Sequence, residues 1–269
     1  MAGAASSKSF TGRYEYTLKK MAEISATRDA PDLSPPTHEE KAQISTSETG
    51  RPPLLSFAML KRAMGVQIFS LDKNELSTRV YAGVLLKDER EQGEAKNGED
   101  QEPPYTRKYW VDEKLNKNCW KILAKDLSIA SDDKYWQWTE EEEPCYSGNK
   151  KVHVAELKRI CWLEINGKCN TIMLYPRTKY EAEILVKIRE GGRGWDAPVN
   201  LSLALLDGNK QERMERLEGL EKEKWHPISI GQFETTPKTV GKISFSLKQT
   251  DGKWKTKLCV KAIVLRPTT

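Results

Sequence analysis

After Tyr105, several segments carry apolar side chains at every second position. In Tyr180 to Ile188, residues Tyr180, Ala182, Ile184, Val186 and Ile188 face one way. Glu181, Glu183 and Lys187 face the other, with Leu185 the exception. Val199, Leu201, Leu203 and Leu205 repeat the period. So do Ile243, Phe245 and Leu247, then Leu258, Val260, Ala262 and Val264. Successive side chains alternate across a strand, so each of these segments can bury one face. Asp207-Gly208-Asn209 and Asp251-Gly252 supply turn chemistry between the runs. Several short strands with regular turns predict an all-β fold, an antiparallel sandwich or barrel.

The pattern is absent further upstream. Residues 1–53 are rich in Ser, Thr, Pro and Glu, a composition that predicts a disordered extension. Within it, Tyr14 to Ile24 has the spacing of a transient amphipathic helix. Leu54 to Met64 predicts a helix after Pro52 and Pro53, with Leu54, Phe57, Leu60 and Ala63 on one face. Arg79 to Leu86 reads as a strand or a docking arm. Lys87 to Pro104 reads as a charged linker without a core-forming residue. The expected division is therefore an extension over 1–53, a helix, docking segment and linker over 54–104, and a β domain over 105–269. Gln211 to Lys224 is polar nearly all round and reads as a solvated loop or a short exposed helix.

Charge and cysteine usage narrow the function classes. Net charge is +5, with 44 Lys and Arg against 39 Asp and Glu. The excess falls in residues 151–269, which permits nucleic-acid or anionic-membrane contact but contains no dense basic block. No apolar run is long enough to span a membrane or to serve as a secretory signal, which favours a cytoplasmic or nuclear protein. The five cysteines, Cys119, Cys145, Cys161, Cys169 and Cys259, are odd in number and irregularly spaced. With only His38, His153 and His226 scattered among them, they predict free thiols and no metal site. No cofactor motif is present.

Catalytic signatures are also missing. There is no GxGxxG after a strand, no P-loop, no HExxH and no GxSxG. Gly191-Gly192-Arg193-Gly194-Trp195-Asp196 lies between two strands rather than before a helix, so it reads as a turn and not a phosphate cradle. Glu140 to Glu143 reads as a solvated acidic run. A catalytic carboxylate pair needs two different environments, which such a run does not supply. The chain is not expected to be an enzyme.

Lys108 to Gly167 holds five of the eight tryptophans: Trp110, Trp120, Trp136, Trp138 and Trp162. Tyr135, Trp136 and Trp138 follow Asp132 and Asp133. Flat aromatics beside carboxylates suit a sugar ring, which offers an apolar face and polar edges. Trp136 is the expected stacking residue, with Tyr135, Asp132 and Asp133 as polar partners. Trp162, between Cys161 and Leu163, is assigned to the core. Trp195 sits in the Gly-rich turn, where a loop aromatic can be presented for binding.

The ordered series YWVDEK, NCWKILAKDLSI, SDDKYWQW, VAELKRICWLEINGK, LYPRTKYEAEILVKI, GWDAPVNLSL, KWHPISIGQF and VKAIVLRP resembles the plant phloem lectins, phloem protein 2 and the Nictaba-like lectins, over roughly 105–269. The resemblance implies a jelly-roll-like β-sandwich and a non-enzymatic, carbohydrate-binding protein of the cytoplasm (sieve element or companion cell) or nucleus, commonly a dimer. It implies N-acetylglucosamine oligomers of chitin type, N-glycan cores and the glycoproteins bearing them as partners. Trp136, in KYWQW, falls on an aromatic position implicated in sugar binding. Two positions depart from the family pattern. The Trp that usually follows LSIT is absent, since Ala130 and Ser131 follow Ile129. A binding-associated Glu is Gln232 in Gly231-Gln232-Phe233. The alternative reading is a non-lectin protein that binds RNA or protein through the basic β domain.

Overall fold

The computed structural model describes residues 52–87, 103–129 and 134–269. The expected disorder over 1–53 (all but its last two residues), the Tyr14–Ile24 helix and most of the charged linker lie outside the described residues.

Residues Thr49–Thr269 form one compact unit. It opens with helix α1 (Leu54–Met64), a 3-10 turn (Gly65–Ser70) and helix α2 (Lys73–Ala82). Thirteen strands follow among the described residues: β1 (Val84–Lys87), β2 (Tyr105–Asp112), β3 (Lys117–Leu123), β4 (Ser128–Ile129), β5 (Trp136–Cys145), β6 (Gly148–Leu157), β7 (Leu163–Asn170), β8 (Lys179–Ile188), β9 (Val199–Ala204), β10 (Lys210–Glu215), β11 (His226–Glu234), β12 (Lys242–Gln249) and β13 (Leu258–Pro267).

The strands build two antiparallel sheets, a sandwich as the alternation predicts and jelly-roll-like as the resemblance implies. The larger runs β1-β2-β3-β13-β6-β5, with β8 paired to β13 and β11 paired to β8. The smaller runs β10-β9-β12-β7-β4. Tyr109, Trp120, Ile122, Tyr180, Ile184 and Val186 of the larger sheet pack in one core with Ile165, Leu201, Leu203, Ile243, Phe245 and Leu247 of the smaller. Burial of such side chains drives the fold, at ~1.5–3 kcal/mol each.

One strand breaks the expected period. Leu258 and Val260 face the core, but a bulge between Val260 and Ala262 shifts the register. Beyond it Ile263 and Leu265 face inward, and Ala262 joins a small cluster with Leu85, Leu123 and Val152 on the opposite face. A bulge inserts one residue and so exchanges the two faces.

Helix α1 spans the predicted residues, but with a different buried face. Ser56, Met59 and Leu60 are buried, whereas Leu54 and Phe57 are exposed. The Ser56 and Tyr109 hydroxyls lie 2.9 Å apart, and Tyr109 donates in turn to Asn118 Oδ1 at 2.7 Å. Arg79 to Ala82 closes α2 instead of beginning a strand, and Gly83 turns the chain into β1. Asp72 and Glu75 form a reciprocal capping box at the start of α2. Met59, Leu60, Ile68, Val80, Val84 and Leu86 share the sandwich core, so α1, α2 and β1 are packed on the domain that begins at Tyr105. Lys210–Glu215 is the edge strand β10, paired along its length with β9, where the sequence reading expected loop or helix. Cross-strand pairing with β9 overrides the helical composition.

Candidate functional site

Three connecting segments are laced together at one end of the sandwich. Ile160 and Lys255 exchange backbone hydrogen bonds of 2.9 and 2.8 Å. Lys255 is fully buried. Its ammonium donates to the carbonyls of Cys161 (2.9 Å) and Lys253 (2.8 Å) and pairs with Asp251 Oδ1 at 2.5 Å. The hydrogen bond from Lys255 holds the Asp251 carboxyl below its ordinary range. A buried ammonium needs this full set of partners, and in finding them it fixes the 251–255 turn against residue 161. The Gly-rich segment closes the third side. Thr256 N donates to Arg193 O, and Arg193 N donates to Thr256 Oγ1. Gly194 has φ +85°, and a Cβ there would lie 2.3 Å from the Trp254 carbonyl oxygen. Only glycine fits both the conformation and the approach.

This frame presents aromatic rings to solvent. Trp254 is 55% exposed and Trp162 is 71% exposed. The Arg159 guanidinium lies 5.2 Å from the Trp254 ring centroid. The Tyr135 carbonyl accepts from Lys158 N (2.8 Å) and Arg159 N (3.4 Å), which ties the main chain before β5 to the segment that carries Arg159. Tyr135 is itself half-buried, with Lys134 5.6 Å from its ring centroid.

The expected stacking residue plays a different part. Trp136 begins β5 opposite Leu157 and is 3% exposed. Its ring faces are committed to the core and offer no open platform. Its indole N–H is also buried and has no hydrogen-bond acceptor among the described residues. An unsatisfied buried donor costs about 1–3 kcal/mol, so a water or another oxygen is the natural partner. Trp195 is corrected likewise: it is buried, and its Nε1 donates to Thr256 O at 3.0 Å, which ties the Gly-rich turn to the frame. Trp162 is corrected in the opposite direction, from core to surface. It follows β6 in a bend before β7, and so escapes the alternation of either strand.

Gln232 is not part of this constellation. It is exposed on β11 opposite Glu181, and its main chain is clasped by the Gln211 amide. Glu181 and Ile188 lie at opposite ends of β8. Ile188 is opposite Leu258, next to Lys257, whose N–H reaches Leu157 beside Trp136. Seven residues of strand, about 23 Å at ~3.3 Å each, separate the two levels. Asp132 and Asp133 lie outside the described residues. Tyr135 and Trp136 are brought together, Trp195 lies beneath the same end, and Gln232 does not join them. The sequence reading missed Trp254 and Arg159. A lone tryptophan in the polar turn Asp251-Gly252-Lys253-Trp254-Lys255 is the signal that marks the first.

The acidic run is not solvated throughout. Alternation along β5 turns Glu141 and Glu143 onto the outer face of the larger sheet. Glu143 is 2% exposed and meets Lys121 (2.5 Å), Lys108 (3.2 Å) and Lys261 (3.2 Å). Burial pushes its carboxyl up, but the three ammonium groups outweigh that and hold it below the ordinary range. Glu141 bonds Lys187 (2.7 Å) and Trp225 Nε1 (2.9 Å). These contacts clamp the β5–β6 hairpin over the sheet. Among the described residues no group of three or more His, Cys, Asp or Glu can hold a metal ion, and no helix is long and apolar enough to cross a membrane.

The family model for phloem protein 2 matches residues 117–267. Protein PHLOEM PROTEIN 2-LIKE A1 of Arabidopsis thaliana is 39% identical over 204 residues, covering 74% of this chain and 75% of its own. A protein of Luffa acutangula named Lectin is 36% identical over 60% of this chain and 77% of its own. Another Lectin, from Coccinia grandis, is 26% identical over 49% and 82% respectively. Among solved structures, the CBM22-1 xylan-binding domain from Paenibacillus barcinonensis Xyn10C aligns loosely, at a TM-score of 0.31 and 16% identity over 54% of this chain and 86% of that one.

Proposed function

This chain belongs to the phloem protein 2 family, and from that premise we propose that it is a non-catalytic, carbohydrate-binding lectin of the cytoplasm or nucleus. Its ligands are N-acetylglucosamine oligomers and the N-glycan cores of glycoproteins. The observation that carries the reading is an exposed ring beside a guanidinium at one end of the sandwich. Trp254 is open to solvent, with the Arg159 guanidinium against its ring. Stacking on Trp254 suits the apolar face of a pyranose ring. Arg159 supplies donors for sugar oxygens. Trp136 is sealed beneath this end and supports it from the core side. The two relatives named Lectin support the same class.

The alternative is a non-lectin protein that binds RNA or protein. It draws on the basic excess of residues 151–269. A glycan array run beside an RNA-binding titration separates the two. The lectin reading expects retention on chitin oligomers and N-glycan cores that changes little with salt, because a neutral sugar releases no counterions. Binding to RNA alone, falling steeply with salt, contradicts it.

A further inference from the structure

The outer face of the smaller sheet carries a separate constellation. Its register places Ser128 opposite Asn166, Asn166 opposite Ser246 and Ser246 opposite Ser202. These four side chains form a line across β4, β7, β12 and β9, on strands about 4.8 Å apart. The Ser202 and Ser246 hydroxyls lie 2.7 Å apart. Two surface cavities, of about 340 and 480 Å³, share Ser128, Asn166 and Lys168 and make one trough along this line.

The trough is positively charged. Arg107 is held by Asp126 at 2.6 Å, Lys248 by Glu164 at 2.8 Å, and Lys210 by Glu212. Lys168 and Lys242 line the smaller cavity and pair with no carboxylate among the described residues. Lys168 is opposite Ser244 and Lys242 is opposite Asn170. They are therefore diagonal neighbours, roughly 7–8 Å apart at the backbone, and one anionic group can reach both ammonium groups. Asn166, Asn170 and Ser128 surround them with side chains that both donate and accept, the chemistry that hydroxyl groups require.

We propose that this trough is a second binding site, for an acidic oligosaccharide whose rings carry carboxylate or sulfate. The anionic group sits between Lys168 and Lys242, and the ring hydroxyls run along Ser128, Asn166, Ser246 and Ser202. The strand interval is close to the rise of one sugar residue in an extended glycan, so successive rings meet successive strands. Single-stranded RNA fits the face less well. Sequence-tolerant binding of that kind needs aromatic rings on which bases stack. The one aromatic lining the trough, Phe245, is 1% exposed and belongs to the core. The proposal does not depend on the loop-end site, which lies apart from this sheet face and takes a neutral sugar.

The test is titration calorimetry on the full chain at low and high salt. The probes are a galacturonate oligomer, a sulfated oligosaccharide, chitotriose and an oligouridylate. The variant is Lys168→Ala with Lys242→Ala, both exposed positions, with circular dichroism as the folding control. The expected result is binding of the galacturonate or the sulfated probe, weakened by salt and lowered about tenfold or more in the double variant. Chitotriose binding stays as in the wild type. Which acidic probe binds identifies the anionic group. The proposal is overturned if neither acidic sugar binds, or if the double variant binds them like the wild type. It is also overturned if oligouridylate binds through these lysines and the acidic sugars do not compete. Loss of chitotriose binding alone would bear on the loop-end site and leave this one standing.

Discussion

The Arg159 guanidinium lies 5.2 Å from the centroid of the Trp254 ring, although ninety-five positions separate the two in sequence. The contact exists because Ile160 and Lys255 pair through their backbones, and Lys255 is anchored from beneath by the Cys161 and Lys253 carbonyls and the Asp251 carboxylate. These bonds pin the turn that carries Trp254, so a ligand that stacks there has little main chain to order.

Gly194→Ala tests the frame. The added Cβ would meet the Trp254 carbonyl at 2.3 Å, and φ is +85°. The expected outcome is a loss of about 1–3 kcal/mol, the range for strained backbone positions, together with weaker glycan binding. Urea denaturation and calorimetry read both. A variant with unchanged midpoint and affinity contradicts the packing described here. Gly191→Ala is the control, with a positive φ but nothing within 4 Å of the new Cβ.

Glu143 tests the outer-face network. Removing its charge leaves Lys121, Lys108 and Lys261 facing one another, so Glu143→Gln is expected to destabilise by about 3–5 kcal/mol, as for other broken buried pairs. The pH dependence follows from the lowered folded value. The contribution is complete above the carboxyl's unfolded value, about 4.3, and is lost as pH falls through the folded one. Urea midpoints measured from neutral to acid pH should therefore fall less steeply for Glu143→Gln than for the wild type. Parallel acid limbs would show that the three lysines do not hold this carboxylate.

The thiols should separate by burial. All five cysteines are free, with Cys119, Cys169 and Cys259 buried and Cys145 and Cys161 half-exposed. Burial pushes Cys119 up to about 12 and Cys169 up to about 11. Alkylation of the native protein, read by mass spectrometry, should label Cys145 and Cys161 first. Early labelling of Cys119 would mean that β3 opens below the global unfolding free energy.

Leu60 tests the helical segment. It is 1% exposed and lies in the core shared with the strands. Leu60→Ala is expected to cost about 2–5 kcal/mol in one cooperative transition seen by all probes. A separate early transition for α1 and α2 would instead make residues 105–269 an independent domain, the division that composition suggested.

Much of the sandwich was legible in the sequence. Tyr180, Ala182, Ile184, Val186 and Ile188 all face the core, as their period requires. The β13 bulge was not legible, because a single inserted residue leaves the composition apolar on both sides. The α1 stripe misled for another reason. Helical spacing puts Leu54 and Phe57 on one face, but which face is buried was set by Ser56 meeting Tyr109, a contact between distant segments. The site was least legible. Trp136 and Trp162 occupy similar local patterns, yet one is sealed beneath the loop end and the other lies on its surface. Local sequence gives an aromatic's residue type, and only the fold decides its exposure.

The sharpest test of the central claim is titration of chitotriose into Trp254→Ala, with wild type and Trp136→Phe beside it and circular dichroism to verify folding. Trp136→Ala is unsuitable, because opening a cavity at a buried indole costs about 3–5 kcal/mol and confounds binding with unfolding. Trp136→Phe keeps an apolar ring and opens a smaller cavity, so it perturbs the support beneath the loop end more mildly. If the loop end is the glycan site, Trp254→Ala abolishes binding while the fold persists, and Trp136→Phe weakens it. Wild-type affinity in a folded Trp254→Ala protein would contradict the account.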